Sequence, residues 1–247
     1  MKRKHVVGST LFVGLSLTVA LILLKIVPTR AEGQPAKQAP RAVVISDLGD
    51  CQTEVEKMTA MGWAVRTVRT LELEMLAKKH PYEGVLAEYD VVWVPAKENY
   101  PALRLLMRDG GPLDKFARGG GVVAVMDLTP QKTLMDIAPG GTDAQPIPAG
   151  GAGAVRIEAI DHPMVTGFLI GGSPLVPQSL DPQATGGRGC IVNPPQGCHC
   201  VVVAANSLGP VLMDYTHGKG RVLVCALHHA TDTCERNAML YLQSIAK

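Results

Sequence analysis

The sequence predicts a doubly wound α/β domain with a mostly parallel sheet, carried behind an N-terminal transmembrane helix. Three observations predict it. Apolar runs such as Ala42 to Ser46 (AVVIS) and Val122 to Met126 (VVAVM) do not alternate, so they read as strands buried on both faces. Amphipathic stretches separate these runs at short intervals, and this β-α-β-α-β-α-β alternation closes into one sheet through right-handed crossovers. Val6 to Val27 is almost wholly apolar behind a short basic start, Met1 to His5, and is about the ~20 residues that span a bilayer.

Taken in order, residues 1–31 are a signal anchor or a signal peptide. The apolar run exceeds the roughly 7–15 residues of a cleaved signal, which favours an uncleaved anchor. Thr29-Arg30-Ala31 keeps the cleaved alternative open. Either way the positive end stays in the cytoplasm and the body is extracytoplasmic: membrane-anchored if uncleaved, secreted if cleaved. Residues 32–41, with Gly33, Pro35 and Pro40, read as a tether, and residues 42–247 as the α/β domain.

Within that domain Ala42 to Ser46 is the first strand. Cys51 to Met61 is a helix with Val55, Met58 and Met61 turned inward and Glu54, Glu56 and Lys57 outward. Ala64 to Val68 is the second strand, Leu71 to Lys79 a short helix, and Tyr89 to Pro95 the third strand. Pro101 to Asp109 and Pro112 to Phe116 are helical. Gly119-Gly120-Gly121 then supplies a left-handed helix end and a tight turn into the fourth strand, Val122 to Met126. Ala138 to Gly153 and Gly171 to Gly189 read as long loops. Ala154 to Ile160 alternates like a half-exposed strand. Ile191-Val192, Cys200 to Ala205, Val211 to Tyr215 and Val222 to Leu227 are short strands, with Asn206 to Pro210 and His217 to Gly220 as hairpin turns. The final helix, Thr233 to Ala246, presents Ala238, Leu240, Tyr241 and Ile245 to the sheet.

Charge narrows the function. The chain carries net +2, but seven basic residues and one acid precede residue 42. The body that follows has seventeen basic and twenty-one acidic residues, a net of −4. A mildly acidic surface with 4% aromatics predicts no nucleic-acid partner. The glycine triplet precedes a strand rather than a helix, so it is no nucleotide loop.

Three local patterns then fall in a telling order. They are the helix, glycine turn and strand of Leu113 to Met126; Asp161-His162-Pro163-Met164-Val165-Thr166-Gly167-Phe168; and Pro210 to Val224, which ends in Gly218-Lys219-Gly220-Arg221 and a buried strand. Together they resemble the class I glutamine amidotransferase-like superfamily, a flavodoxin-like architecture, and within it the ThuA-like group. The resemblance implies that fold for most of residues 42–247. Amidotransferases of the superfamily carry a nucleophilic Cys on the sharp turn after the fourth strand, with a His and a Glu near the C-terminus. Here that turn holds Asp127, and His228-His229 is followed by no His-x-Glu. Without the nucleophile, glutamine cannot be hydrolysed through a thioester.

The candidate chemistry has three parts. Asp47, Asp50 and Asp127 all stand at carboxyl ends of expected parallel strands, where open α/β sheets bind ligands. They either converge on a small molecule or carbohydrate, or Asp47 and Asp50 cap the helix that follows. His228, His229 and Asp232 follow the last strand, and with Asp127 they are the catalytic candidates. Six Cys in an exported domain suggest disulfides, with Cys190 pairing Cys198 or Cys200. The alternative is a zinc site of Cys198, Cys200, His229 and Cys234. His162, before Pro163, reads as a turn residue bonded locally. No other cofactor is expected.

Two functions follow as expectations. One is a membrane-tethered ThuA-like domain without glutaminase activity, acting as a binding or accessory module. The other is a metal-dependent or His/Asp-based hydrolase acting on carbohydrate or cell-envelope material. The protein partner, if the module serves one, is not named by the sequence.

Overall fold

The computed structural model describes residues 38–47, 51–73, 86–95, 100–128, 130, 132–147, 155–176, 189–204, 209–226 and 232–246. The chain divides into two units, Met1–Gln38 and Ala39–Lys247, and the description concerns the second. The apolar segment Val6 to Val27, most of the expected tether, and Asp50, His228 and His229 lie outside the described residues. Among those described, no helix is long and apolar enough to cross a membrane.

The strands are β1 (Arg41–Ile45), β2 (Ala64–Val68), β3 (Val91–Pro95), β4 (Val122–Met126), β5 (Leu134–Ala138), β6 (Thr142–Pro146), β7 (Val155–Ile157), β8 (Gly189–Val192), β9 (His199–Ala204), β10 (Pro210–His217) and β11 (Gly220–Cys225). The helices are α1 (Gln52–Ala60), α2 (Tyr100–Met107), α3 (Pro112–Arg118), α4 (Pro163–Thr166) and α5 (Asp232–Ile245), with a 3-10 turn at Phe168–Ile170. The main sheet runs β2-β1-β3-β4-β11-β10-β9-β7. Its first five strands are parallel, in the 2-1-3-4 order of flavodoxin-like sheets with β11 in fifth place. The remaining three pair antiparallel, so the sheet is mixed rather than nearly all parallel.

Alternation along each strand sorts the core into two faces. Val44, Trp93, Ala124 and Leu223 meet α1, α4 and α5 on one face through Met58, Met164, Ala238 and Leu242. Val43, Val92, Val123 and Val224 meet α2 and α3 on the other, through Leu106 and Leu113. A second antiparallel sheet, β5-β6-β8, covers that other face with Ile137, Ala144 and Ile191. It replaces part of the expected long loop. Pro139, Gly140 and Gly141 turn β5 into β6, and Gly140 and Gly141 hold φ of +102° and +75°.

Three details depart from the sequence reading. Glu54 is buried rather than outward. The helix α5 is rotated: Cys234, Asn237, Ala238, Met239, Tyr241 and Leu242 are its buried residues, while Leu240 and Ile245 are half-buried. In the glycine turn, the helix end at Gly119 is right-handed (φ −74°), and Gly120 takes the left-handed step (φ +111°).

Candidate functional site

The expected site lies past the carboxyl ends of β1 and β4. Asp127 closes β4 with φ +56°, a left-handed backbone that non-glycine residues adopt at a cost, and its side chain is 9% exposed. This is the sharp turn where the amidotransferase resemblance places a nucleophile. Asp47 is engaged by the segment that follows β2. Its Oδ1 accepts the Thr70 N–H at 2.7 Å and its Oδ2 accepts the Thr70 hydroxyl at 2.5 Å, fixing the chain after β2. The residue preceding α1, Cys51, gives no side-chain cap. Asp47 therefore has structural work, and Asp50 is outside the described residues.

Asp232 opens α5. Its Oδ1 binds the Lys57 ammonium at 2.8 Å, and Glu235 joins the same ammonium at 2.5 Å. The hydrogen bond from Lys57, followed by its charge, holds the Asp232 carboxyl below its usual range. This acid ties α5 to α1.

The expected zinc site is not assembled by the residues that can be placed. Cys198 packs against the α2/α3 face of the sheet, and Cys200 lies beside it with the sulfurs 3.8 Å apart. Cys234 is buried on the opposite face. Strand alternation forces this: Cys200 pairs with Met213, which belongs to the α2/α3 face, while its neighbour His199 points the other way. Among the described residues no group of three or more His, Cys, Asp or Glu is placed to hold a metal ion. None of the six cysteines is in a disulfide, so the expected Cys190 pairing with Cys198 or Cys200 is not formed. Cys190 is buried in β8 and receives Gln145 Nε2 at 3.6 Å.

A different cluster forms near the amino ends of the parallel strands, on the α5 face. Asp214, in β10, is 1% exposed. Its Oδ2 accepts the Tyr241 hydroxyl at 2.5 Å and the Arg221 guanidinium at 2.6 Å. Its Oδ1 faces His162 Nε2 at 3.4 Å. Burial opposes ionisation of Asp214. The bonds from His162 and Tyr241 and the Arg221 charge outweigh it, and the carboxyl stays below its usual range. Burial and the neighbouring carboxylate push the Tyr241 phenol up.

The sequence brings these residues together by register. Arg221, Leu223 and Cys225 alternate onto one face of β11, and Asp214 and His199 are direct cross-strand partners on β10 and β9. His162 caps α4, accepting the Met164 N–H on Nδ1 at 3.3 Å, so its local turn role is borne out. That bond puts the ring proton of neutral His162 on Nε2, toward Asp214. Nδ1 is engaged by the Met164 N–H and Nε2 faces Asp214 Oδ1 at 3.4 Å, so His162 sits between α4 and the cluster.

The cluster floors an open cavity of about 450 Å³. His199, Arg221, Tyr241, Asp161 and Ser244 supply its polar lining, and Leu169, Ile170 and Ile245 its apolar one. The His199 ring stands edge-on to His162 at 6.4 Å between centroids. Arg221 Nε is buried with no partner among the described residues. Ile160, Phe168 and Leu169 are 73%, 79% and 84% exposed, an unusual apolar group beside this opening. Sequence reasoning missed Asp214, Tyr241 and Arg221 as site residues. The visible signal was an acid and a base, Asp214 and Arg221, flanking a hairpin turn on strands that otherwise read as core.

Neither a family model nor a curated protein matches the chain. Solved structures do resemble it. A cytoplasmic protein of Salmonella typhimurium LT2, STM1381, aligns at TM-score 0.52 and 12% identity, covering 84% of this chain and 100% of its own. A second Salmonella typhimurium cytoplasmic protein, STM3548, aligns at 0.51 and 11%, covering 84% and 99%. A candidate GMP synthase component from Thermoplasma acidophilum aligns at 0.47 and 10%, covering 83% and 94%, too loose a likeness to argue from. At these identities the shared property is the mixed α/β fold with helices on both faces of the sheet.

Proposed function

We propose that the chain is an extracytoplasmic, membrane-tethered binding module of the ThuA-like kind, with the amidotransferase-like fold and without glutaminase activity. The observation that carries this reading is Asp127. A carboxylate occupies the strained turn, φ +56°, that closes the central strand β4. A carboxylate there offers no thiol for acyl transfer from glutamine. The thiols that flank the same end of the sheet do not substitute for it: Cys225 and Cys234 are fully buried, and the bond from Cys225, with burial, raises the Cys234 thiol.

The ligand reading moves from the carboxyl ends of the strands to the cavity lined by His162, His199, Arg221 and Tyr241, the first, third and fourth of which contact the buried Asp214. The cavity's polar groups present donors and acceptors over an apolar side wall, which suits a small polar molecule or a carbohydrate. The test is ligand-observed NMR on the full-length chain with a panel of monosaccharides, oligosaccharides and small carboxylates. Binding that His199→Ala removes supports the reading. Binding indifferent to His199→Ala, or none across the panel, counts against this cavity.

One observation favours a hydrolytic alternative. His199 is exposed in the cavity and stands directly across from Asp214, so it is the imidazole with room to take a proton from a bound hydroxyl or water. On this reading the His/Asp chemistry sits at His199 and Asp214 instead of His228, His229 and Asp232. Turnover of a carbohydrate ester or glycoside that is lost in His199→Ala would establish it over the binding role.

A further inference from the structure

The two sulfurs of Cys198-His199-Cys200 stand 3.8 Å apart, both half-buried and neither in a disulfide. Residues two apart on a strand share a face, so the side chains begin aligned. Cys198 is not yet in regular strand: its N–H closes a turn onto the Pro195 carbonyl, just before β9 begins at His199. This lets the first thiol lean toward the second. Burial, then the neighbouring Cys198, pushes the Cys200 thiol up to about 11, which suits Cys200 to the second, resolving step.

We propose that Cys198 and Cys200 are a reversible redox pair, closing to a disulfide by exchange with a small-molecule disulfide, and that closure moves His199 in the cavity wall. The exchange balances in two steps. The Cys198 thiolate attacks one sulfur of the small disulfide, forms a mixed disulfide and expels one thiolate. Cys200 then loses its proton to solvent and attacks the Cys198 sulfur, expelling the second thiolate. Two protein thiols are oxidised, and one external disulfide is reduced to two thiols.

The coupling to His199 is steric. A disulfide needs its sulfurs at about 2.05 Å and its Cβ atoms at about 3.5–4.5 Å, so the strand must tighten around the residue between them. That residue is His199, whose ring lies on the opposite face, across from Asp214 and 6.4 Å from the His162 ring. A closed ring of this size is strained, which makes it readily reduced. The inference shares the cavity with the proposed function but stands on the geometry of the thiols, so either can fail without the other.

The experiment uses the full-length chain, fully reduced and then exposed to oxidised glutathione under native conditions. Free thiols are alkylated and the cysteines located by peptide mapping that separates Cys190 from Cys198 and Cys200. The expected result is a Cys198–Cys200 link, undone by a dithiol reductant, with Cys51, Cys190, Cys225 and Cys234 alkylated only after unfolding. Cys200→Ser should stall as a glutathione adduct on Cys198. Histidine NMR on the same sample should show the His199 signal shifting on oxidation, with no shift in the Cys198→Ser/Cys200→Ser double variant. Unlinked thiols, or a link to Cys190 instead, would overturn the redox pair. A link that leaves the His199 signal unmoved would overturn its coupling to the cavity.

Discussion

Tyr241 of α5 donates its hydroxyl to Asp214 Oδ2 of β10 across 2.5 Å, and both residues are buried. This single bond locks the last helix to the antiparallel half of the sheet and aims the phenol at the floor of the candidate cavity. Tyr241→Phe removes the donor and keeps the ring. The expected loss is about 1.5–3 kcal/mol, the range for a hydrogen bond to a charged group, read from urea unfolding. Asp214→Ala should cost more, about 3–5 kcal/mol, because it strands Arg221 and Tyr241 together. Equal stability of Tyr241→Phe and the parent would refute the lock.

Acid sensitivity follows from two buried carboxylates. Asp214 is held below its usual range as described above. Asp114 of α3 is held low too: burial opposes this, but the bonds from His217, Arg118 and the Gly110 N–H prevail. His217 Nε2 lies 2.6 Å from Asp114 Oδ1. A folded-state carboxyl lowered from an ordinary value near 3.8 stabilises fully above that value. The contribution is lost as pH falls through the lower folded value. Urea midpoints should therefore be set by other groups above pH ~5 and fall steeply below pH ~4. Asp114→Asn should flatten that acid limb while lowering the neutral plateau. An acid limb unchanged in Asp114→Asn would contradict the assignment.

The hairpin between β10 and β11 packs against the end of α3 with no room to spare. A Cβ on Gly220 would sit 2.0 Å from the Gly121 carbonyl oxygen and 2.3 Å from that of Ala117. These are backbone atoms, which cannot swing aside as a side chain can. Gly220→Ala should destabilise by at least about 1–3 kcal/mol and loosen β11 from β4. Gly197→Ala has open space but a φ of +79°, so its cost should be backbone strain alone, about 1–2 kcal/mol. Thermal unfolding of the two variants separates the two mechanisms: Gly220→Ala alone should also speed hydrogen exchange across β4 and β11.

Asp127 tests whether the turn after β4 demands its backbone shape. Asn tolerates φ near +56°, whereas a β-branched residue does not. Asp127→Val should therefore be less stable than Asp127→Asn by about 1–2 kcal/mol. Equal losses would place the cost in the side-chain contacts rather than the turn.

Much of the fold was legible because buried parallel strands leave a strong mark. Val122 to Met126, buried throughout, stands where its composition puts it; Ala64 to Val68 also matches, but as a mostly exposed edge strand. The β5–β6 hairpin was not legible, because Thr142-Asp143-Ala144-Gln145-Pro146 has little of the β-branched or aromatic character that marks a strand. Only Gly140-Gly141 signalled the turn. The site was harder still. Asp47 and Asp127 stood out as carboxylates at strand ends, a local feature. The Asp214 cluster depends on cross-strand register and on the facing of α5, which no local pattern encodes. Cys198, Cys200 and Cys234 looked like parts of one ligand set along the chain, yet the first two face the α2/α3 side of the sheet and Cys234 the other.

The most direct test of the central claim is incubation of the full-length chain with L-glutamine, followed by measurement of released glutamate. The account predicts none above the buffer control, in the parent and in Asp127→Ala alike. Glutamate release by the parent that Asp127→Ala abolishes would contradict it, and would make the turn after β4 a working active site.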